Sequence, residues 1–266
     1  GLGDVYKRQE LERIKTLEAT LEAAETKFLT WFQSDEGQVA WQEGNVELLF
    51  RQAGYYRGFD VKKTKYDPVD HFKTRPTLPL DTNTGEVGKN FNCNSFAVDV
   101  SGAKTIYLSA GHCLDRLGTL HKLHLDKTRE IGQFTPTNDW PDSRPHIPMD
   151  LQLTNDNVGG RLVVGVGYDS VDSSTTYPRG KERGSKLFAG MAIPVNEAIL
   201  QTINSLRTSA NAKTYSRKSI GDFLLVSSVP ELLGKVGGLS GSPVLLNNQL
   251  CGLQHSAVAI PKSTGD

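Results

Sequence analysis

Apolar positions between Glu10 and Thr30 recur at three- and four-residue steps: Ile14, Leu17, Leu21, Ala24, Phe28 and, just beyond, Trp31, with charged residues in the gaps. That period describes one face of an α-helix, and no Gly or Pro interrupts it. The pattern predicts an amphipathic helix packed on the domain. Three heptads also suit a short coiled coil, so self-association through this helix is a second expectation. A weaker helical stretch runs from Gln38 to Arg51. Residues 1–9 are polar, lack the apolar centre of a signal peptide and look unrelated to the rest of the chain; they read as a cloning or assembly scar and are set aside.

The texture changes near Tyr66. Pro68, Pro76, Pro79 and Asp81-Thr82-Asn83-Thr84-Gly85 read as linker and turn. Beyond them short β-like runs dominate. Phe96–Val100, the turn Ser101-Gly102-Ala103-Lys104 and Thr105–Leu108 read as strand, turn, strand. Thr119–Leu125, Leu151–Leu153, Arg161–Gly167, Lys186–Ile193, Asp222–Ser227, Pro243–Leu246 and Gln249–Leu253 supply further strands, interrupted by one helix from Asn196 to Arg207. Many short strands with turn signals predict an all-β sandwich or pair of barrels.

A chain of 266 residues is long enough for a substantial core. Its 30 basic and 30 acidic side chains balance, so no charge excess points to nucleic acid or to a membrane surface. No apolar run approaches the roughly 18 residues of a membrane span. Three cysteines, Cys93, Cys113 and Cys251, are too few for a disulfide scaffold and lack zinc spacing.

Three segments carry chemistry. In Leu108-Ser109-Ala110-Gly111-His112-Cys113 a β run ends in small residues that leave an imidazole room to face a cleft. In Gly237-Gly238-Leu239-Ser240-Gly241-Ser242-Pro243-Val244, glycines flank a serine and permit a tight turn. Such a turn can aim backbone N–H groups at the point where negative charge develops as a serine attacks a carbonyl. In Met149-Asp150-Leu151-Gln152-Leu153 a carboxylate leads directly into an apolar-alternating run, where it can hold a histidine in one tautomer. Asp126, Asp142 and Asp156 are competitors, with surface solvation as their default.

Taken together these segments resemble the chymotrypsin-like serine proteases. Leu108–Cys113 is similar to that family's Ser/Thr-Ala-x-His-Cys, Gly238–Pro243 to its Gly-x-Ser-Gly-x-Pro, and Asp150–Leu153 to its Asp-hydrophobic-x-Leu. The order His, Asp, Ser is also the family's. The resemblance covers roughly residues 88–260. It implies two packed six-stranded Greek-key barrels with a helical N-terminal extension: the extension over 10–65, a first barrel over 66–157 and a second over 158–266. It further implies a serine endopeptidase with His112, Asp150 and Ser240 as triad, and the N–H groups of Gly238 and Ser240 as oxyanion hole. Its partner would be a protein or peptide substrate, and neither cofactor nor metal is required.

The cysteines fit this likeness. In a hairpin centred near Gly102-Ala103, paired positions sum to about 205 or 206; Cys93 and Cys113 sum to 206 and fall opposite one another. The family has a disulfide at the matching place, and closing that loop contributes about 3 kcal/mol. A disulfide would favour a secreted or periplasmic location. Cys251 reads as a small apolar residue.

The chain also departs from the family. Leu239 precedes Ser240, and no Ile-Val-Gly-Gly-like segment precedes Cys93, so the cleavage-activated device of trypsin is not expected. The spelling Ser-Gly-Ser-Pro is closer to bacterial glutamyl endopeptidases. Those enzymes carry a pocket histidine where this chain has Gln254, with His255 one step further on; side chains alternate along a strand, so His255 either lines the pocket or faces the triad. Gly234, at the expected pocket base, carries no acid, which disfavours Lys or Arg before the scissile bond. Gly234, Gln254, His255 and Ser256 are the expected substrate-binding residues. Only ten residues follow Ser256, so the second barrel reads as truncated, and a protease domain of a larger, even viral, polyprotein is an alternative. A protease-like binding module without turnover is another. His121 and His124 fall on opposite faces of their run, with no further ligand to complete a metal set.

Overall fold

The computed structural model describes residues 2–54, 77–87, 92–100, 104–115, 117, 122–126, 130–137, 158–168, 186–226, 239–247, 249–258 and 260. The chain opens with helix α1, Leu2–Phe32, which begins inside the stretch set aside from the sequence. The side chains of Ile14 and Leu17 lie outside those described. Further along the same face, Phe28 and Phe32 are buried, and Ala24 and Trp31 are partly so. Where one weak helix was expected over Gln38–Arg51, two form: α2, Asp35–Gln42, and α3, Val46–Gln52. The break has a local cause. The Asn45 side chain accepts the Leu48 N–H at 3.1 Å, and Ser34 likewise accepts the Gly37 N–H at 3.2 Å, so each short helix has its own N-cap.

Two antiparallel sheets complete the described chain. The first joins β1 (Leu78–Leu80), β2 (Cys93–Val100), β3 (Lys104–Ala110), β4 (Lys122–Asp126) and β5 (Ile131–Phe134) in the order β1-β2-β3-β5-β4. A single helical turn, α4 (Gly111–Leu114), continues from β3. The second joins β6 (Leu162–Gly167), β7 (Lys186–Pro194), β8 (Phe223–Val226), β9 (Pro243–Leu246) and β10 (Gln249–Leu253) in the order β10-β9-β6-β7-β8. Between β7 and β8 lie α5 (Glu197–Ser209) and α6 (Arg217–Ile220). Against the expected pair of six-stranded barrels, the described residues form two five-stranded sheets, neither closed. The expected strand Leu151–Leu153 lies outside the described residues.

The N-terminal helices are built into the second half. Phe28, Phe32, Val46 and Leu49 share one core with Met191 and Ile193 of β7, Ile199 and Ile203 of α5, and Leu224 of β8. The junction is also pinned by polar contacts: Arg161 Nε lies 2.5 Å from Glu25 Oε1, Trp41 Nε1 donates to Pro194 O at 2.8 Å, and Asn196 Nδ2 donates to Trp41 O at 2.7 Å. This is the packed amphipathic helix that the pattern predicts. Among the described residues no helix is long and apolar enough to cross a membrane.

The two sheets meet along a shared core of Phe96 and Val98 from one side and Val166, Leu245 and Leu250 from the other. Buried Asn94 bridges them with both ends of its amide: Nδ2 donates to Tyr168 O and Oδ1 accepts the Tyr168 N–H, each at 3.0 Å. The hairpin register differs from that expected. Ser95 pairs with Ser109 and Val100 with Lys104, so partners sum to 204. Cys113 therefore lies past the ladder, on α4, and it is the helical turn that brings it back over Cys93. The Cys93–Cys113 disulfide is present, with a Cα–Cα distance of 6.1 Å.

Candidate active site

β3 delivers His112 to the junction between the sheets. Ala110, Cys113 and Leu114 are buried, so the α4 turn is anchored on both sides of the half-exposed imidazole. The disulfide ties the same turn to the start of β2. The pairing of Ala110 with Ile131, together with a 2.5 Å bond from Gly111 N–H to Glu130 O, sets Glu130 beside His112. Glu130 has φ 57°, a left-handed conformation uncommon for a residue with a side chain, and one that persists only where its surroundings hold it.

The turn carrying Ser240 is stapled to both sheets. Asn94 N–H donates to Ser240 O at 2.7 Å, Gly241 N–H donates to Gln254 O at 2.7 Å, and Gln254 N–H donates to Ser242 O at 2.8 Å. None of these bonds uses the Ser240 N–H. Gly241 has φ 83°, and a Cβ there would stand 2.0 Å from Asn94 O and 2.5 Å from Ser109 Oγ. The position needs glycine both for its backbone and for its space.

Ser240 Oγ donates to the main-chain oxygen of His255 at 3.0 Å. The His255 ring meets His112 edge-on, with centroids 5.2 Å apart and planes at 84°. Of its two expected orientations His255 thus takes the one toward His112, and Ser240 and His112 share it as a neighbour. The serine hydroxyl is turned to the carbonyl rather than to the imidazole. Gln254 Nε2 donates to Ser256 O at 2.8 Å, and Ser256 Oγ to Ser219 O at 3.2 Å. Asp150, Gly234 and Gly238 lie outside the described residues.

The carboxylate that faces the histidines here is one that sequence reasoning missed. Glu130 Oε2 is 4.0 Å from His112 Nδ1 and 3.8 Å from His255 Nε2, while Oε1 is 2.5 Å from Lys218 Nζ on α6. The only signal in the sequence was a charged residue between two strands, where solvation is the ordinary reading. Burial pushes the Glu130 carboxyl up, but the Lys218 hydrogen bond and charge outweigh it and hold the group below its ordinary range. The same contact raises Lys218. Burial lowers His112 below its ordinary value, against the opposing pull of Glu130 and Asp115. Burial lowers His255 too, helped by the neighbouring His112. Both imidazoles are therefore held neutral near pH 7, the form in which one can accept a proton.

The sequence matches no protein-family profile and no curated protein. Among solved structures, the chain is similar to a scabies mite inactivated protease paralogue, S-D1, at 13% identity over 70% of this chain and 81% of that one, with a TM-score of 0.42. It is similar to Deg5 at 14% identity over 81% of this chain and 85% of that one, TM-score 0.40. A second scabies mite inactivated protease paralogue, S-I1, gives 13% identity over 75% and 89%, TM-score 0.43. These likenesses are slight.

Proposed function

We propose that this chain is a serine endopeptidase of the chymotrypsin-like kind. One observation carries the reading: a serine in a glycine-dependent turn and a histidine on an anchored turn, from opposite sheets, converge on the same neighbour, His255. In this mechanism the Ser240 hydroxyl swings from His255 O to His112 and attacks the peptide carbonyl. His112 takes its proton and returns it to the leaving amine. Asp150 orients His112 by accepting from Nδ1, since Glu130, at 4.0 Å, is too far for that hydrogen bond. The N–H groups of Gly238 and Ser240 receive the oxyanion, each contributing about 3–4 kcal/mol to the barrier reduction. Gly234, Gln254 and Ser256 line the pocket, with His255 turned toward His112 at its edge, and a polar or acidic residue precedes the scissile bond, as in glutamyl endopeptidases. The polyprotein alternative concerns the natural substrate and leaves this chemistry unchanged.

The test is hydrolysis of matched peptides with Glu, Gln, Phe or Lys before the scissile bond. Wild-type turnover should fall on the order of 10⁴-fold or more in Ser240→Ala and His112→Ala, with Glu or Gln as the preferred residue. Best cleavage after Phe or Lys would overturn the specificity.

Two specific observations favour other readings. The approach of Glu130 to Nδ1 suggests that Glu130 is the orienting acid; then Glu130→Gln, and not Asp150→Asn, would cost about 10⁴-fold. The bond from Ser240 Oγ to a main-chain carbonyl suits a silent binding module, which would bind peptides with no turnover in the wild type.

A further inference from the structure

The cluster of two imidazoles and a carboxylate has a use that acyl transfer does not require. His112, Glu130 and His255 each offer one ligand atom within 4.8 Å of the other two. They come from three separate segments, each held by its backbone: α4 and Glu130 by the bond from Gly111 N–H to Glu130 O, and His255 by its carbonyl, which accepts from Ser240 Oγ. We propose that these three side chains form a zinc site, and that its occupancy switches the proposed protease off.

In a tetrahedral zinc site with bonds of about 2.0–2.2 Å, neighbouring ligand atoms stand roughly 3.3–3.5 Å apart. The two distances to Glu130 Oε2, 4.0 and 3.8 Å, need to shorten by about half an ångström, and the two histidine nitrogens, within 4.8 Å of each other, by up to about 1.5 Å. The His112 side chain is 43% exposed and free to make that movement. Two nitrogens and one oxygen suit zinc; calcium and magnesium demand more oxygen ligands than this cluster has. The exposed flank of His112 leaves a fourth position to water.

The consequence for the base is a matter of tautomers. A metal on Nδ1 of a neutral imidazole leaves the ring's proton on Nε2. That nitrogen then donates and has no lone pair to take the proton of Ser240. Metal capture would thus silence His112 without moving the serine. The inhibitory half of the proposal rests on the protease reading; the binding half does not.

Lys218 is the built-in opponent. Its ammonium occupies Glu130 Oε1 at 2.5 Å and repels an incoming cation, yet its side chain is half-exposed and can swing aside. Its removal should therefore strengthen the site, an effect opposite to that of losing a ligand.

The probe is zinc chloride, titrated by calorimetry into the full chain carrying Ser240→Ala, so that binding is read without turnover. One equivalent should bind at about 10 μM protein. Adding Glu130→Gln or His255→Ala should weaken it at least tenfold, and adding Lys218→Ala should tighten it roughly three- to tenfold. Circular dichroism checks that each variant is folded, and the exposed Lys218→Ala change keeps the test alive should a ligand variant unfold. No binding, binding indifferent to Glu130 and His255, or weaker binding in Lys218→Ala would overturn the site. In the wild type, zinc should block fluorophosphonate labelling and a chelator should restore it. Zinc bound with labelling intact would overturn the inhibition. Zinc bound by a protein that is never labelled would instead count against the protease reading, leaving the metal site standing.

Discussion

Replacing three glycines by alanine separates the forces that shape the Ser240 turn. A Cβ at Gly252 meets nothing within 4 Å, and its φ lies outside the left-handed range. Gly252→Ala should therefore change stability by no more than about 0.5 kcal/mol. Gly221 has φ 80° and ψ −178°, a conformation essentially reserved for glycine, but open space around it. Gly221→Ala should cost about 1–3 kcal/mol, all of it backbone. At Gly241 both effects combine. Its φ of 83° costs a similar about 1–3 kcal/mol. Its Cβ would stand 2.0 Å from Asn94 O, which also accepts Ser109 Oγ at 2.6 Å and cannot retreat freely. Overpacking of that kind adds about 1–3 kcal/mol. Displacing Asn94 endangers the bond it gives Ser240 O, worth about 1 kcal/mol more. The sum, about 3–7 kcal/mol, rivals the whole stability of a typical domain, about 5–15 kcal/mol. Urea unfolding of the three variants should rank Gly252→Ala, Gly221→Ala and Gly241→Ala in order of rising cost. A Gly241→Ala protein no less stable than Gly221→Ala would refute the claim that this turn is clamped against β2.

Phe28 is 1% exposed in the core that α1 shares with β7 and α5, so Phe28→Ala should lower the global urea transition by about 3–5 kcal/mol; an unchanged transition would mean that α1 is an appendage. The Cys251 thiol is pushed up to about 11 by burial. At pH 8 it should carry roughly 200-fold less thiolate than an ordinary cysteine, so a thiol reagent should find almost none in the native protein, one per chain after unfolding without reductant, and all three after reduction. Two or more reactive thiols before reduction would contradict the disulfide. His112 and His255 titrate below their ordinary value of 6.5, so the unfolded chain takes up protons first as pH falls. Their contribution is complete above pH 6.5 and is lost as pH drops through the lowered folded values; Glu130, lowered from 4.5, adds a second loss in more acid solution. Urea midpoints at pH 7.5, 6 and 5 should decline, and less steeply in His255→Gln; a flat profile would refute the burial argument.

What the sequence revealed was local. β9 and β10 fall on the runs Pro243–Leu246 and Gln249–Leu253 because apolar runs bounded by turn residues leave few other choices. The helix read over Asn196–Arg207 is α5, and the structure shows Asn196 as its N-cap. The same logic over-extended the helix at Gln38–Arg51, where the Asn45 cap restarts the chain within a helical period. His112 and Ser240 were singled out by the small residues that clear space around them, and the structure brings both beside His255. Glu130 and Lys218 were not, because their contacts exist only across elements: pairing of β3 with β5 carries Glu130 to His112 over 18 positions, and α6 brings Lys218 in from the other sheet. His121 and His124 were dismissed as a metal pair, whereas the side chains that do converge are spread from His112 to His255. The hairpin register was missed by one step because Lys104, read as part of the turn, pairs with Val100 as the first residue of β3.

The central claim is that Ser240 is an activated nucleophile. Its most direct test is reaction with a fluorophosphonate probe in the presence of a chelator, followed by peptide mapping, for the wild type, Ser240→Ala and His112→Ala. A single adduct on Ser240 in the wild type, lost in Ser240→Ala and greatly slowed in His112→Ala, is the result expected. A folded wild-type chain that takes no label, or takes it equally without His112, would contradict the claim.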